Sequence, residues 1–160
     1  MNKPMRRKDR ALNSAECLEL LNRAEYGVLS TVDQDGQPYG VPLSFVHYDD
    51  RIYFHCAREG YKVDNLRHEP RACFTVVGET KPVYDKNFTT YFESVIAAGI
   101  VKPIEDDEEK YRSLYALAKK YLPDHLDKAP DDIAHSLKRT AVYALEIQSL
   151  TGKAKKPKPE

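Results

Sequence analysis

The sequence has no tryptophan, only three cysteines and only seven glycines among 160 residues. Each scarcity excludes something. Cys17, Cys56 and Cys73 form no CxxC pair and would leave one over if two were bridged, which argues against a disulfide framework and for a reducing, cytoplasmic setting. No window approaches the roughly 20 apolar residues of a membrane-spanning helix, and the amino-terminal MNKPMRRKDRALN is basic but lacks the apolar stretch of a signal peptide. Charge of one sign is not in excess either. Lys+Arg and Asp+Glu number 25 each, so no global field draws the chain to nucleic acid or to an anionic membrane. The common side-chain catalytic signatures are missing: there is no GxSxG elbow, no HExxH and no P-loop. The five histidines, His47, His55, His68, His125 and His135, match no common zinc spacing, and no metal is expected.

What is present suits one domain. A chain with 41% hydrophobic and 31% charged residues can bury a real core, and the expected domain is 1–152, with a basic tail over 153–160 that holds nothing to bury and is expected to be disordered. Asn13 and Glu16 are spaced as a capping box for a helix over 14–25, with Leu18, Leu21 and Cys17 as its buried stripe. Strands are expected over 26–32, 39–47, 51–57, 71–78, 88–104 and 140–148, the fifth bent or bulged at Gly99. Residues 79–87 read as a loop and 61–68 as a brief helix ended by Pro70. Tyr111, Leu114, Ala118 and Tyr121 recur at helical spacing, with acids in the first turn and Lys119 and Lys120 in the last. Residues 131–138 admit one more helical segment. The fold class is mainly β: a six-stranded antiparallel barrel, closed or split, with peripheral helices.

The richest stretch is YGVPLSFVHYDDRIYFHCAREGYKVDNL, residues 39–66. Its strands carry apolar residues on both faces, so one face packs inside the domain and the other meets a partner chain or a ligand. Pro42 belongs at a sheet edge or bulge. Arg58, Gly60 and Lys62 then bring two cations and a flexible backbone to the start of a helix, a combination that favours a phosphate. Taken alone, these residues keep blander readings. Lys62 also fits a solvated helix-start lysine, His55 a packed strand histidine, and Cys56 and Cys73 small buried hydrophobes. Lys153, Lys155, Lys156 and Lys158 fit a solubilising tail.

Four segments, MRRKDR, GQPYGVPLSFVHYDDRIYFHCAREGYKVDNL, FTTYFESVIAAG and EIQSLTGK, carry a resemblance that spans most of the chain. The sequence resembles the pyridoxamine 5'-phosphate oxidase-like, FMN-binding split-barrel superfamily, and within it the branch that includes 5-nitroimidazole reductases. The resemblance implies a homodimer with two FMN sites at its interface, each built from both chains and acting on a small-molecule substrate. Val41, Pro42, Leu43 and Ser44 would then border the isoalloxazine ring, while Phe54, His55, Cys56 and Ala57 line the ribityl and phosphate end. Lys62 would hold the phosphate, and Tyr91, Ser94 and Val95 would approach from the second chain. The function implied is an FMN-dependent oxidoreductase reducing a small acceptor such as a nitroaromatic; a flavin- or haem-binding protein without turnover is the alternative. FAD and haem are the other cofactors the scaffold accommodates, and His47 or His55 would be the axial-ligand candidates for haem.

Overall fold

A computed structural model describes residues 4–84 and 86–157. Helix α1 (Ser14–Arg23) begins with the expected capping box: the Asn13 side chain accepts from the Glu16 N–H, and Glu16 in turn accepts from the Asn13 N–H, both at 2.9 Å. It buries Cys17, Leu20 and Leu21, so the stripe is set one position from the expected Leu18. Helix α2 (Tyr61–His68) lies where 61–68 was read as helical. Helix α3 (Asp107–Tyr121) is capped by Asp106, which accepts from the Glu109 N–H at 2.8 Å, and α4 is short (Ala129–Ser136).

Eight strands form one sheet: β1 (Ala11–Leu12), β2 (Gly27–Val32), β3 (Pro38–Leu43), β4 (Val46–Tyr48), β5 (Arg51–Cys56), β6 (Arg71–Tyr84), β7 (Phe88–Pro103) and β8 (Ala141–Lys155). All observed pairings are antiparallel, in the order β3-β2-β6-β7-β8-β5-β4, with β1 added to β8. The six expected strands become eight for two reasons. The two-residue β1 pairs through Ala11 and Leu12 with the far end of β8. The expected strand 39–47 breaks at Ser44 and Phe45, so that β3 pairs with β2 while β4 turns through Asp49 and Asp50, both at positive φ, into β5.

That break shapes the molecule. β3 and β4 are the two edges of the sheet, yet only two residues separate them in the chain. The sheet therefore curls until its edges approach and stops without joining, which is a split barrel. Leu29, Phe45, Ile52, Phe54, Phe74, Val95 and Leu145, all fully buried, fill its inside. Two further expectations are corrected. Residues 79–84 continue β6 rather than looping, and pair with 88–92 of β7 as a projecting two-stranded arm beyond a register shift between Val77 and Thr80. The tail does not begin at Lys153, because β8 runs to Lys155 with Ala154 buried against the sheet's inner side; residues 158–160 lie outside the described residues.

Candidate functional site

The split is held at one point by a single side chain. At the last residue of α3, the Tyr121 hydroxyl accepts from the Phe45 N–H at 3.0 Å and lies 3.1 Å from the Phe45 carbonyl and 2.5 Å from the Glu25 carbonyl. It thus satisfies the Phe45 backbone, which the break in the strand deprives of ladder partners, and ties it to the turn that leads into β2. Beside it, Lys120 lays its ammonium 3.8 Å from the centre of the Phe45 ring, and among the described residues that nitrogen has no hydrogen-bond partner. Burial lowers the Lys120 pKa to about 8. The same loss of solvent, with a smaller push from Lys120, lowers that of His47, whose Nδ1 meets Asn22 Oδ1 at 2.9 Å.

The linkage has a definite sign. The folded pKa of Lys120 lies below the ordinary lysine value of 10.5, so between about pH 8 and 10.5 the unfolded chain holds the extra proton and stability rises with pH. Discounted for its partial exposure, the effect is on the order of 1 kcal/mol. Lys120→Met should abolish that rise and leave the protein at least as stable at neutral pH. Urea melts of both proteins across this pH range would show it, and parallel pH profiles would refute it.

The other margin of the split carries the residues around Lys62. The β4 ladder on β5 ends at the Val46 to Tyr53 pair, so Phe54, His55 and Cys56 extend past β4 along an open strand edge. Across the gap, β3 is itself an edge strand, and Pro42 sits on it as its missing N–H requires. Val41, Leu43 and Cys56 turn inward and pack on one core cluster, whereas Pro42 and Ser44 are exposed. Ala57 opens the exposed loop leading to Gly60, whose φ of 129° sets the start of α2. Lys62 is in that helix's first turn, where the Tyr61 and Lys62 N–H groups precede the first intrahelical bond. Among the described residues Lys62 forms no ion pair. Its charge is felt at both neighbours on β5. His55 is lowered first by partial burial of its ring and then by Lys62, so it is neutral at pH 7. Cys56 is raised by burial, which Lys62 only partly offsets, so the thiol stays protonated and is no nucleophile.

Four expected residues sit differently from a simple lining. Phe54 is fully buried and stacks on Tyr143 with 5.7 Å between ring centres, so only its backbone can face a ligand. Val95 is also fully buried in its own chain's core. Tyr91 and Ser94 lie on β7, which is separated from β3 by β2 and β6 and from β5 by β8. Within one protomer Lys62 is felt at His55 and Cys56, the start of α2 meets β3 through the Tyr39–Tyr61 ring contact at 4.8 Å, and Tyr91 and Ser94 lie on a strand that adjoins neither β3 nor β5.

The sheet's outer face supplies a reason. Pro42, Val28, Thr75, Ile96 and Thr151 form one row across five strands, and Gly40, Ser30, Cys73, Ala98 and Ser149 form the next. Neither row carries a charge in a chain that is 31% charged, and Ile96 and neighbouring Val77 are 44% and 60% exposed. Such a face has the character of a covered surface. Ser94 shares it with Pro42. Sequence reasoning missed Tyr121 and Lys120 as parts of the split, because their partners lie 76 and 96 residues away.

Among the described residues no His, Cys, Asp or Glu cluster could hold a metal ion, the three cysteines are free, and no helix is long and apolar enough to cross a membrane. No curated protein sequence matches the chain. Solved structures do. A candidate 5-nitroimidazole antibiotic resistance protein from Bacteroides thetaiotaomicron is 26% identical, with 90% of this chain and 86% of that one covered at a TM-score of 0.79. The flavocytochrome Anf3 of Azotobacter vinelandii (22% identity, 98% and 74% covered, TM-score 0.82) and the FAD and haem binding protein of Mycobacterium smegmatis (20%, 94% and 76%, 0.78) share the fold. The sequence model of the pyridoxamine 5'-phosphate oxidase family matches residues 13–154, nearly the whole folded sheet with its helices. An open split barrel with two uncharged rows across its outer face and a lysine in the first turn of the helix at its margin, matched over that span, is a member of the pyridoxamine 5'-phosphate oxidase family, a flavin-binding family.

Proposed function

We propose that this chain is a cytoplasmic, FMN-dependent oxidoreductase that works as a homodimer and reduces small organic acceptors, nitroaromatic compounds among them. The observation that carries the reading is the open backbone edge of β5 facing edge strand β3, with Lys62 at the start of α2 beside it. The residues fit the group. Lys62 and the free amides of the first α2 turn suit a phosphate, and exposed Pro42 and Ser44 leave main-chain groups of an edge strand for the polar rim of a ring. Bound there, FMN would supply the electron transfer, and the protein would bind, orient and shield it. Neutral His55 would serve as a hydrogen-bond partner near the phosphate end without adding charge.

Dimerisation through the two uncharged rows of the outer face would bring the partner's β7 towards Pro42, which would account for the separation of Tyr91 and Ser94 from the other site residues within one chain. The projecting arm supports the same reading, since Tyr84 and Phe88 at its tip are 72% and 93% exposed while packed edge-on at 5.4 Å. Relatives of known fold include a nitroimidazole resistance candidate and flavin and haem binders, and the exposed, neutral His55 gives the haem-binding alternative a ligand.

Lys62→Ala tests the assignment. Loss of a charged phosphate contact should weaken FMN binding by about 1–3 kcal/mol, read by fluorescence titration of the cofactor-free protein. Unchanged affinity would remove Lys62 from the site.

A further inference from the structure

The chain as a whole is neutral, yet its positive charge is not evenly spread. A cavity of about 560 Å³ lies between the amino-terminal segment, the β6–β7 arm and the end of β8, and among the described residues it is lined by Arg7, Arg10, Lys86, Lys155 and Lys156 against one carboxylate, Asp9. Its size is that of a small-molecule site. Five cations around one cavity repel one another, and a neutral protein has acids enough to disperse them.

Their partners show how much charge is left. Arg7 is used by Asp9, with contacts of 2.8 and 2.5 Å, and Lys156 by Glu16 at 2.9 Å. Lys155 meets only the Thr89 hydroxyl, a neutral acceptor. Arg10, Lys86 and Lys155 therefore have no ion pair among the described residues. Three cations without an ion pair among the described residues exceed what one phosphate monoester needs and suit a ligand with adjoining phosphates. Another cavity, about 250 Å³, is different: its Arg51 is already engaged by Glu109 at 3.0 Å.

The placement is built rather than incidental. β8 continues through Lys155 because Ala154 packs inward, which holds Lys155 to the sheet. Arg10 closes a single 3-10 turn (Lys8–Arg10), followed directly by β1, which pairs with Lys153 and Gly152 of β8. Thus the MRRKDR motif and the lysines of the carboxyl-terminal strand meet through strand pairing. None of the residues grouped around Lys62 lines this cavity, but Tyr91 does.

We propose that this cavity binds the pyrophosphate group of a nucleotide, separately from the phosphate held near Lys62. Because Tyr91 is also the residue expected to approach the flavin of a second chain, the inference rests on and deepens the reading above: the nucleotide would lie beside the flavin as a dinucleotide co-substrate.

The test is calorimetric titration of pyrophosphate into the FMN-loaded full chain, with visible absorbance recorded in parallel. Saturable binding is expected, weaker as salt rises from about 20 to about 150 mM, with orthophosphate at least tenfold weaker. The Arg10→Ala/Lys86→Ala protein should lose at least tenfold in pyrophosphate affinity with its FMN intact, and Lys86→Glu alone gives the same reading if the double variant folds poorly. Lys128→Ala, remote from the cavity, should change nothing. FAD and FMN retention by the double variant should be equal, as a co-substrate site requires; selective loss of FAD would overturn the proposal, because the one pyrophosphate of FAD includes the phosphate held near Lys62. No saturable binding, equal binding by the variants, or release of FMN by pyrophosphate would overturn the proposal. Pyrophosphate binding by a chain that retains no flavin would leave the cavity standing and overturn the flavin reading instead.

Discussion

Gly99→Ala is expected to cost on the order of 3–5 kcal/mol, a large share of a typical domain's stability. Gly99 sits where the β7 register on β8 shifts, so that Ala98 faces Ser149 and Gly99 faces Ile147. A methyl group added there would lie 1.9 Å from the Glu146 carbonyl oxygen and 2.9 Å from its carbon. Both are backbone atoms in the middle of the sheet, and no rotamer change can move them. The two longest strands would have to part, which is worse than ordinary overpacking of a core. Gly40→Ala is the internal control, since its methyl would meet Val28 Cγ1 at 3.4 Å, an ordinary contact, and should cost less than about 1 kcal/mol. Urea denaturation midpoints of the two variants compare them directly. Equal midpoints would mean that the bulge accommodates a side chain and that the close approach is not structural.

Tyr121→Phe should cost about 2–3 kcal/mol although it removes a single oxygen. The ring would remain beside Phe45 and Lys120, so little apolar packing is lost. What is lost is the acceptor for the Phe45 N–H and the group that reaches the Glu25 carbonyl. The buried Phe45 N–H would be left without an acceptor at the point where the sheet leaves one edge for the other, and the tie to the Glu25 carbonyl would be lost. If the split carries the cofactor, flavin retention should fall with stability. A Tyr121→Phe protein with native stability and full flavin content would show that the hydroxyl merely occupies the gap.

The capping box at Asn13, the helix at 61–68 and the irregularity at Gly99 were all legible, because each depends on residues close in sequence. The break at Ser44 was not. Val41, Leu43 and Phe45 keep an unbroken inward alternation across it, and neither Ser44 nor Phe45 punctuates a strand, so the pattern is that of one continuous element. The arm over 79–84 failed for the opposite reason. It has no core beneath it, so Glu79, Thr80, Lys81 and Pro82 show none of the alternation that burial imposes. The last residues of β8 alternate Lys153, Ala154 and Lys155, and their charge hid the inward alanine. The site residues on β3, β5 and α2 were legible as a neighbourhood. The inward orientation of Phe54 and Val95 follows from the strand register, which local composition leaves open by one residue.

Flavin retention is the central claim. The decisive measurement is the visible absorption spectrum of the protein as purified and again after addition of FMN and removal of the excess. Stoichiometric flavin bands that bleach with a reduced nicotinamide dinucleotide and return on addition of a nitroaromatic are the predicted result. A protein that retains no chromophore after reconstitution, or shows only a sharp haem band, would contradict it.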